Sequence, residues 1–176
     1  MDYTVQQLLA EDIGRWDRRI AADLASELET QLGDKATVPA IRRLLAVKGF
    51  RELRKRLELE TWDKHGDAAV RAMAMGMRAF AHERPGLSAA AFRSTATDSV
   101  EWRVEGEQLS RLTTRIFEGA GLDASSSLTA LQVLRALVRG FVLHEMVGSF
   151  LDNADYDQIY TSAIDVFVRG LDALRK

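Results

Sequence analysis

The 176-residue sequence has no cysteine, two prolines, three histidines and few aromatic residues, 7% of the chain. Without cysteine there is neither a disulfide framework nor a thiolate metal site. His65, His82 and His144 lie on separate segments, and no Gly-rich phosphate loop, His-Glu-x-x-His run or nucleophile elbow occurs. No catalytic residue, metal or cofactor is therefore expected. Neither sign of charge dominates, since 24 basic and 26 acidic residues leave a net charge of −2. Any attraction to nucleic acid must then come from a local patch, and none to anionic lipid is expected. Asp2, Glu11 and Asp12 precede any long apolar run, which is unlike a basic-then-apolar secretory leader. The longest apolar region, 128–150, is interrupted by Arg135, Arg139, His144 and Glu145, too many charges for a membrane span. These features predict a soluble, cytoplasmic protein.

What the chain does have is Ala, Leu, Arg, Glu and Met in abundance, with little β-branched alternation, so an all-α fold is expected. Thr4-Val-Gln-Gln7 has the form of a capping box, and the row Trp16, Ile20, Leu24, Leu28, Leu32 predicts one long helix stopped at Gly33-Asp34. Pro39 suits the first turn of a helix reaching about residue 61, which Gly49 could bend. Asp67 is placed to cap a helix to about Arg84, broken by Pro85-Gly86, with a short helix over Ser88–Phe92. Asp98-Ser-Val-Glu101 reads as a second capping box, for a helix ending near Gly119-Ala-Gly121. Ser125–Ser127 are candidate caps for the apolar helix to Phe150 and Asp155 for the last helix. The predicted inward row of that last helix is Tyr156, Ile159, Tyr160, Ala163, Phe167, Leu171 and Leu174.

Several clusters admit two readings. Met73, Met75, Met77 and Phe80 form either ordinary core or a soft surface for apolar ligands. Asp98, Glu101 and Glu105 share a helix face, and a solvated face is the expected reading over a cation site or an acid–base pair. Arg42, Arg43, Lys48, Arg51, Arg54, Lys55 and Arg56 crowd one segment and suit either phosphate contacts or the wet back of an amphipathic helix. The helix 128–150 is apolar on several sides and must be covered on several sides, as a core helix or as part of a seam with a second copy.

Arg135, Gly140-Phe141, Glu145 and Gly148-x-Phe150 follow one another as in the C-terminal domain of TetR-type transcriptional regulators, which the chain resembles. Ala81-His-Glu-Arg-Pro-Gly-Leu87 with Phe92, Gly49-Phe-Arg-Glu-Leu53, and the closing Gly170-Leu171 fit the same family in the same order, so the resemblance covers roughly residues 40–176. Where many relatives carry His before the Gly of the main fingerprint, this chain has Arg139. The resemblance implies a helical bundle of about eight to nine helices, with an N-terminal region 1–48 and a ligand-binding and dimerisation domain 49–176. It implies a homodimer through the last two long helices, with Leu131, Leu134, Val138, Val142, Ile159, Ala163 and Phe167 at the seam. It also implies an apolar cavity offering Met73, Met77, Phe80, Trp102, Phe117 and Phe141, with His144 as the polar group that orients an apolar small-molecule effector.

The family's DNA-reading helix-turn-helix is matched less closely, because its Leu-Tyr-x-x-Phe helix and Gly-Val-Ser-like turn are absent. Two alignments are open: Val38-Pro-Ala-Ile-Arg-Arg43 over the recognition helix, or Leu28–Leu32 there with Gly33-Asp-Lys35 over the turn and lysine. Lys35, Arg42, Arg43 and Lys48 are the candidate contacts to double-stranded DNA. The expected function is a ligand-responsive transcriptional regulator, a repressor acting as a homodimer. The alternative is a dimeric small-molecule or partner-binding protein of the same fold that has lost DNA binding. A third reading, an enzyme built on His144 with Glu145 or Arg139, is weakened because adjacent helical residues point roughly 100° apart.

Overall fold

The computed structural model describes residues 26, 28–33, 37–91, 99–146 and 155–175. The box at Thr4–Gln7, most of the row from Trp16, Lys35 and Asp98 lie outside the described residues. Among the described residues the structure is helical, with no strand: α1 Val38–Thr61, α2 Gly66–Glu83, α3 Pro85–Ala91, α4 Val100–Gly119, α5 Ala124–Met146 and α6 Tyr156–Gly170, followed by a 3-10 turn Leu171–Leu174. The all-α expectation is met. Residues 28–32 are helical as well. Gly33 ends them at φ 48, a left-handed conformation that glycine adopts without strain.

The helix starts follow from local chemistry. Thr37 caps α1, its Oγ1 accepting from the Ala40 amide at 3.3 Å, and Pro39 occupies the first turn where no N–H is needed. Pro85 itself opens α3, three residues earlier than expected. Ser99 caps α4 by accepting from the Trp102 amide at 3.3 Å. Asp123, rather than Ser125–Ser127, caps α5 through the Ser126 amide at 2.8 Å. Asp155 caps α6 as expected, accepting from Gln158 at 3.0 Å. Asp67 lies inside the first turn of α2 and is engaged by Arg175 instead of acting as a cap.

The chain divides into two compact units, one of residues up to Leu53 with Phe80–Leu109, the other of Arg54–Ala79 with Ser110–Lys176. The residue 48/49 boundary expected from the sequence falls within α1 and inside the first unit.

The first unit buries Ile41, Leu45, Phe50 and Leu53 of α1 with Phe80, Leu87 and Ala91. Gly49 marks the closest approach: a Cβ there would lie 2.5 Å from the Leu87 carbonyl oxygen and 3.1 Å from the Ala91 Cβ. The glycine therefore serves backbone-to-backbone packing of α1 on α3. Gly49→Ala is expected to destabilise by about 1–3 kcal/mol, because the obstructing atom is main chain and cannot rotate away. Gly106→Ala, whose Cβ would meet the Phe50 ring at 3.4 Å, is the matched control. Thermal melts of the two variants check this, and a Gly49→Ala melt equal to the control's would refute it.

In the second unit α5 is the core helix, with Ala130, Leu134 and Val138 at most 2% exposed. By length and composition the stretch Ala124–Glu145 is apolar enough to cross a membrane despite its charges. Its buried face packs instead within the unit. The inward row of α6 is Tyr160, Ile164 and Val168, continued by Leu171, while Ile159 is 41% exposed. Of the expected inward row, Tyr160 and Leu171 are buried, while Ile159, Ala163 and Phe167 flank that face.

Candidate functional site

Arg78 of α2 carries charge into the apolar part of the second unit. Its guanidinium lies 4.8 Å from the Tyr160 ring centre and 5.7 Å from that of Phe141, and the two rings meet edge-on at 5.0 Å. Stacking over two aromatic faces suits a planar cation. The charge is matched by Glu145, whose carboxylate takes both Nε, at 3.1 Å, and Nη2 of Arg78. Asp157, at 2.8 Å from Nη2, adds a second anion from the first turn of α6. The Arg78 side chain is 13% exposed and that of Glu145 5%, whereas Asp157 is open to water. Hydrogen bonding to Glu145 raises the Arg78 pKa, burial opposes this, and Asp157 adds to the rise. The cluster joins α2, α5 and α6.

Tyr160 completes it, its hydroxyl donating to the Ala74 carbonyl at 2.7 Å. Burial raises the Tyr160 pKa, the Arg78 charge opposes, and Glu145 contributes in the same sense as burial. Because the folded value lies above the ordinary 10.0, the stability tied to this neutral phenol is complete below pH 10 and is lost as pH rises through the folded value. Tyr160→Phe is expected to cost about 1 kcal/mol at neutral pH through the missing hydrogen bond. It should also flatten the alkaline fall in stability, which denaturant titrations at pH about 8 and about 11 would measure.

The apolar residues expected to line a cavity divide between the units. Met73, Met77, Phe117 and Phe141 are buried in the second. Phe80, buried, and Trp102, half-buried, belong to the first. Met75 is 39% exposed. His144 is exposed. Arg78 and Glu145, with side chains 13% and 5% exposed, form a pair that sequence reading did not single out.

In the first unit Trp102 packs on Phe50, ring centres 5.6 Å apart and tilted by 54°. One turn further along α4, Glu105 is buried and its Oε1 accepts from Arg51 Nε at 2.9 Å and lies 2.9 Å from Nη2. This replaces the expected solvated role for Glu105. Glu101 is exposed.

The basic run of α1 is largely engaged within the protein. Arg54 pairs with Glu58 at 2.8 Å and Arg56 with Glu60 at 3.2 Å, both one turn apart, and Arg51 with Glu105. Arg43 and Lys48 are half-buried.

Four of the residues expected at a dimer seam, Leu131, Leu134, Val138 and Val142, are at most 6% exposed in the single chain. In the single chain these four belong to the unit's own core. The apolar side chains that α5 and α6 leave in water are Leu128, Val133, Leu143, Ile159 and Val166, between 41% and 70% exposed. Ala163 and Phe167 are half-buried beside them. Arg135 is also half-buried on α5, its pKa pushed down by burial and by the like charge of Arg139 one turn away.

Residues 70–167 match the family model of the tetracyclin repressor-like C-terminal domain, and the chain belongs to the TetR family of transcriptional regulators. Among individual proteins, it is 25% identical over 154 residues to an uncharacterized HTH-type transcriptional regulator of Mycobacterium tuberculosis, spanning 82% of this chain and 70% of the relative. Its fold is similar to that of a solved protein of unknown function from Rhodococcus sp. RHA1, with a TM-score of 0.67, 23% identity, and coverage of 98% of this chain and 91% of the other.

Proposed function

We propose that the protein is a ligand-responsive repressor that binds duplex DNA in the cytoplasm as a homodimer, an apolar small molecule shifting the balance between DNA-binding and released states. The observation that carries the reading is the apolar face on α5 and α6. Leu128, Val133, Leu143, Ile159 and Val166 are all exposed on two helices of a family-matched domain. Isolated apolar side chains on a surface are ordinary, but five on two neighbouring elements in sequence suit a seam between copies. Lys35, Arg42, Arg43 and Lys48 are the proposed phosphate contacts. Met73, Met77, Phe80, Trp102, Phe117 and Phe141 are the proposed effector contacts, with His144 acting at the surface.

Fluorescence anisotropy of duplexes tiling the DNA upstream of the protein's own gene, across a salt series, tests the reading. Sequence-dependent binding with a steep salt slope is the expected result. Weak binding equal for all duplexes would favour a second reading, a dimer of the same fold that binds small molecules or partners without reading DNA. The engagement of Arg51, Arg54 and Arg56 in internal ion pairs supports that alternative, since those cations are already matched.

A further inference from the structure

Three polar contacts tie α2 to α6 in the second unit. Arg71 donates from Nε to Asp165 at 2.8 Å, the Tyr160 hydroxyl donates to the Ala74 carbonyl at 2.7 Å, and Arg78 Nη2 stands 2.8 Å from Asp157. Residue numbers rise along α2 as they fall along α6, so the helices run antiparallel and the contacts form a ladder along both. The Arg71 and Asp165 side chains are 41% and 37% exposed, and ion pairs so open to water add little stability. What they add is direction. Apolar burial has none, and α6 carries two apolar stripes one residue apart, Tyr160–Ile164–Val168 and Ile159–Ala163–Phe167. Turning α6 by one residue, about 100°, would bury the second stripe instead. Ile164 and Tyr156 would then stand where Asp165 and Asp157 do, and Ile159 in place of the Tyr160 phenol, so all three contacts would break together. Glu145, the other partner of Arg78, lies on α5 and favours neither seating.

We propose that this ladder chooses which stripe of α6 the unit buries, and thereby holds Ile159 and Val166, 41% and 70% exposed, outward for a second copy. The inference rests on the dimer reading above and names what presents its seam. Fixing register at little gain in stability is the best-attested use of ionic groups within a fold.

The chain has no cysteine, so a single introduced thiol reports alone. Ile164→Cys on α6, at a residue 2% exposed, and Leu134→Cys on α5, at one 0% exposed, are each alkylated with iodoacetamide in the full chain. The rates are measured with and without Asp157→Ala and Asp165→Ala, since a buried thiol reacts only when its surroundings open. Breaking the ladder is expected to speed alkylation at 164 at least about tenfold, the factor one lost charge-assisted hydrogen bond sets, and to leave that at 134 unchanged. Without the introduced thiols, the same double alanine variant should self-associate about tenfold more weakly in sedimentation. Asp165→Ala alone carries the test if the double variant does not fold. Equal acceleration at both thiols would make the contacts general stabilisers, and none at either would make them idle. Each of those results, or unchanged self-association in a chain that does dimerise, overturns the proposal. An unaltered chain that sediments as a monomer would remove the dimer reading, while the alkylation rates still decided whether the ladder seats α6.

Discussion

Arg78→Ala is expected to lower the melting temperature by roughly 10 °C, following a loss of about 3–5 kcal/mol. The size follows from what the substitution leaves behind. Glu145, with its side chain 5% exposed, would keep a carboxylate in apolar surroundings, its paired guanidinium gone. The remaining anion at the cluster, Asp157, carries the same sign and would repel it. The Phe141 and Tyr160 rings would also lose the cation stacked against them. Removing both charges together should be far milder, because Arg78→Met with Glu145→Met supplies apolar volume and strands no ion. A double-mutant cycle by circular dichroism separates the two effects. A single variant melting within a few degrees of the unaltered protein would show that water, rather than Arg78, satisfies Glu145.

The second large effect is expected on assembly. Val133→Glu together with Val166→Glu should weaken self-association at least about a hundredfold, so that sedimentation at about 10 μM reports a monomer that is still folded. Both side chains are more than half exposed in the single chain, at 51% and 70%, so charging them leaves the core intact. Leu134→Glu is the instructive contrast. That side chain is 0% exposed, and a carboxylate there should unfold the unit rather than part a dimer. A double glutamate variant sedimenting like the unaltered protein would remove this face from the proposed interface.

These contrasts show which features are legible in a sequence. Helix starts and stops at Thr37, Asp155, Gly33 and Gly121 are written in residues that act on their own neighbours, and Pro39 marks a first turn by its missing N–H. The face of α6 is not written so clearly. Ile159, Tyr160, Ala163, Ile164, Phe167 and Val168 place apolar groups on two adjacent stripes, and periodicity cannot say which one meets the core. Packing chose Tyr160–Ile164–Val168.

The same ambiguity on α5 explains why Leu134 was expected at a seam and lies in the core. The pairing of Arg78 with Glu145 spans 67 residues and leaves no local trace. Glu105 was expected in water because it shares a helix face with Asp98 and Glu101, and the half-exposed Arg51 of α1, distant in sequence, is what pairs with it. The family resemblance rested on the order of Gly140-Phe141, Glu145 and the Pro85-Gly86 corner, and the match over residues 70–167 bears it out.

Arg175 donates from Nε to the Ala120 carbonyl at 2.9 Å and pairs with Asp67 and Asp172. Trypsin selects an arginine by drawing its side chain into an acidic pocket of its own, so here the protease must compete for a guanidinium already engaged. Cleavage after Arg175 thus becomes a clock for the release of that side chain, and its rate in a dilute protease reads how often the turn after Gly119 and the start of α2 let go of the guanidinium.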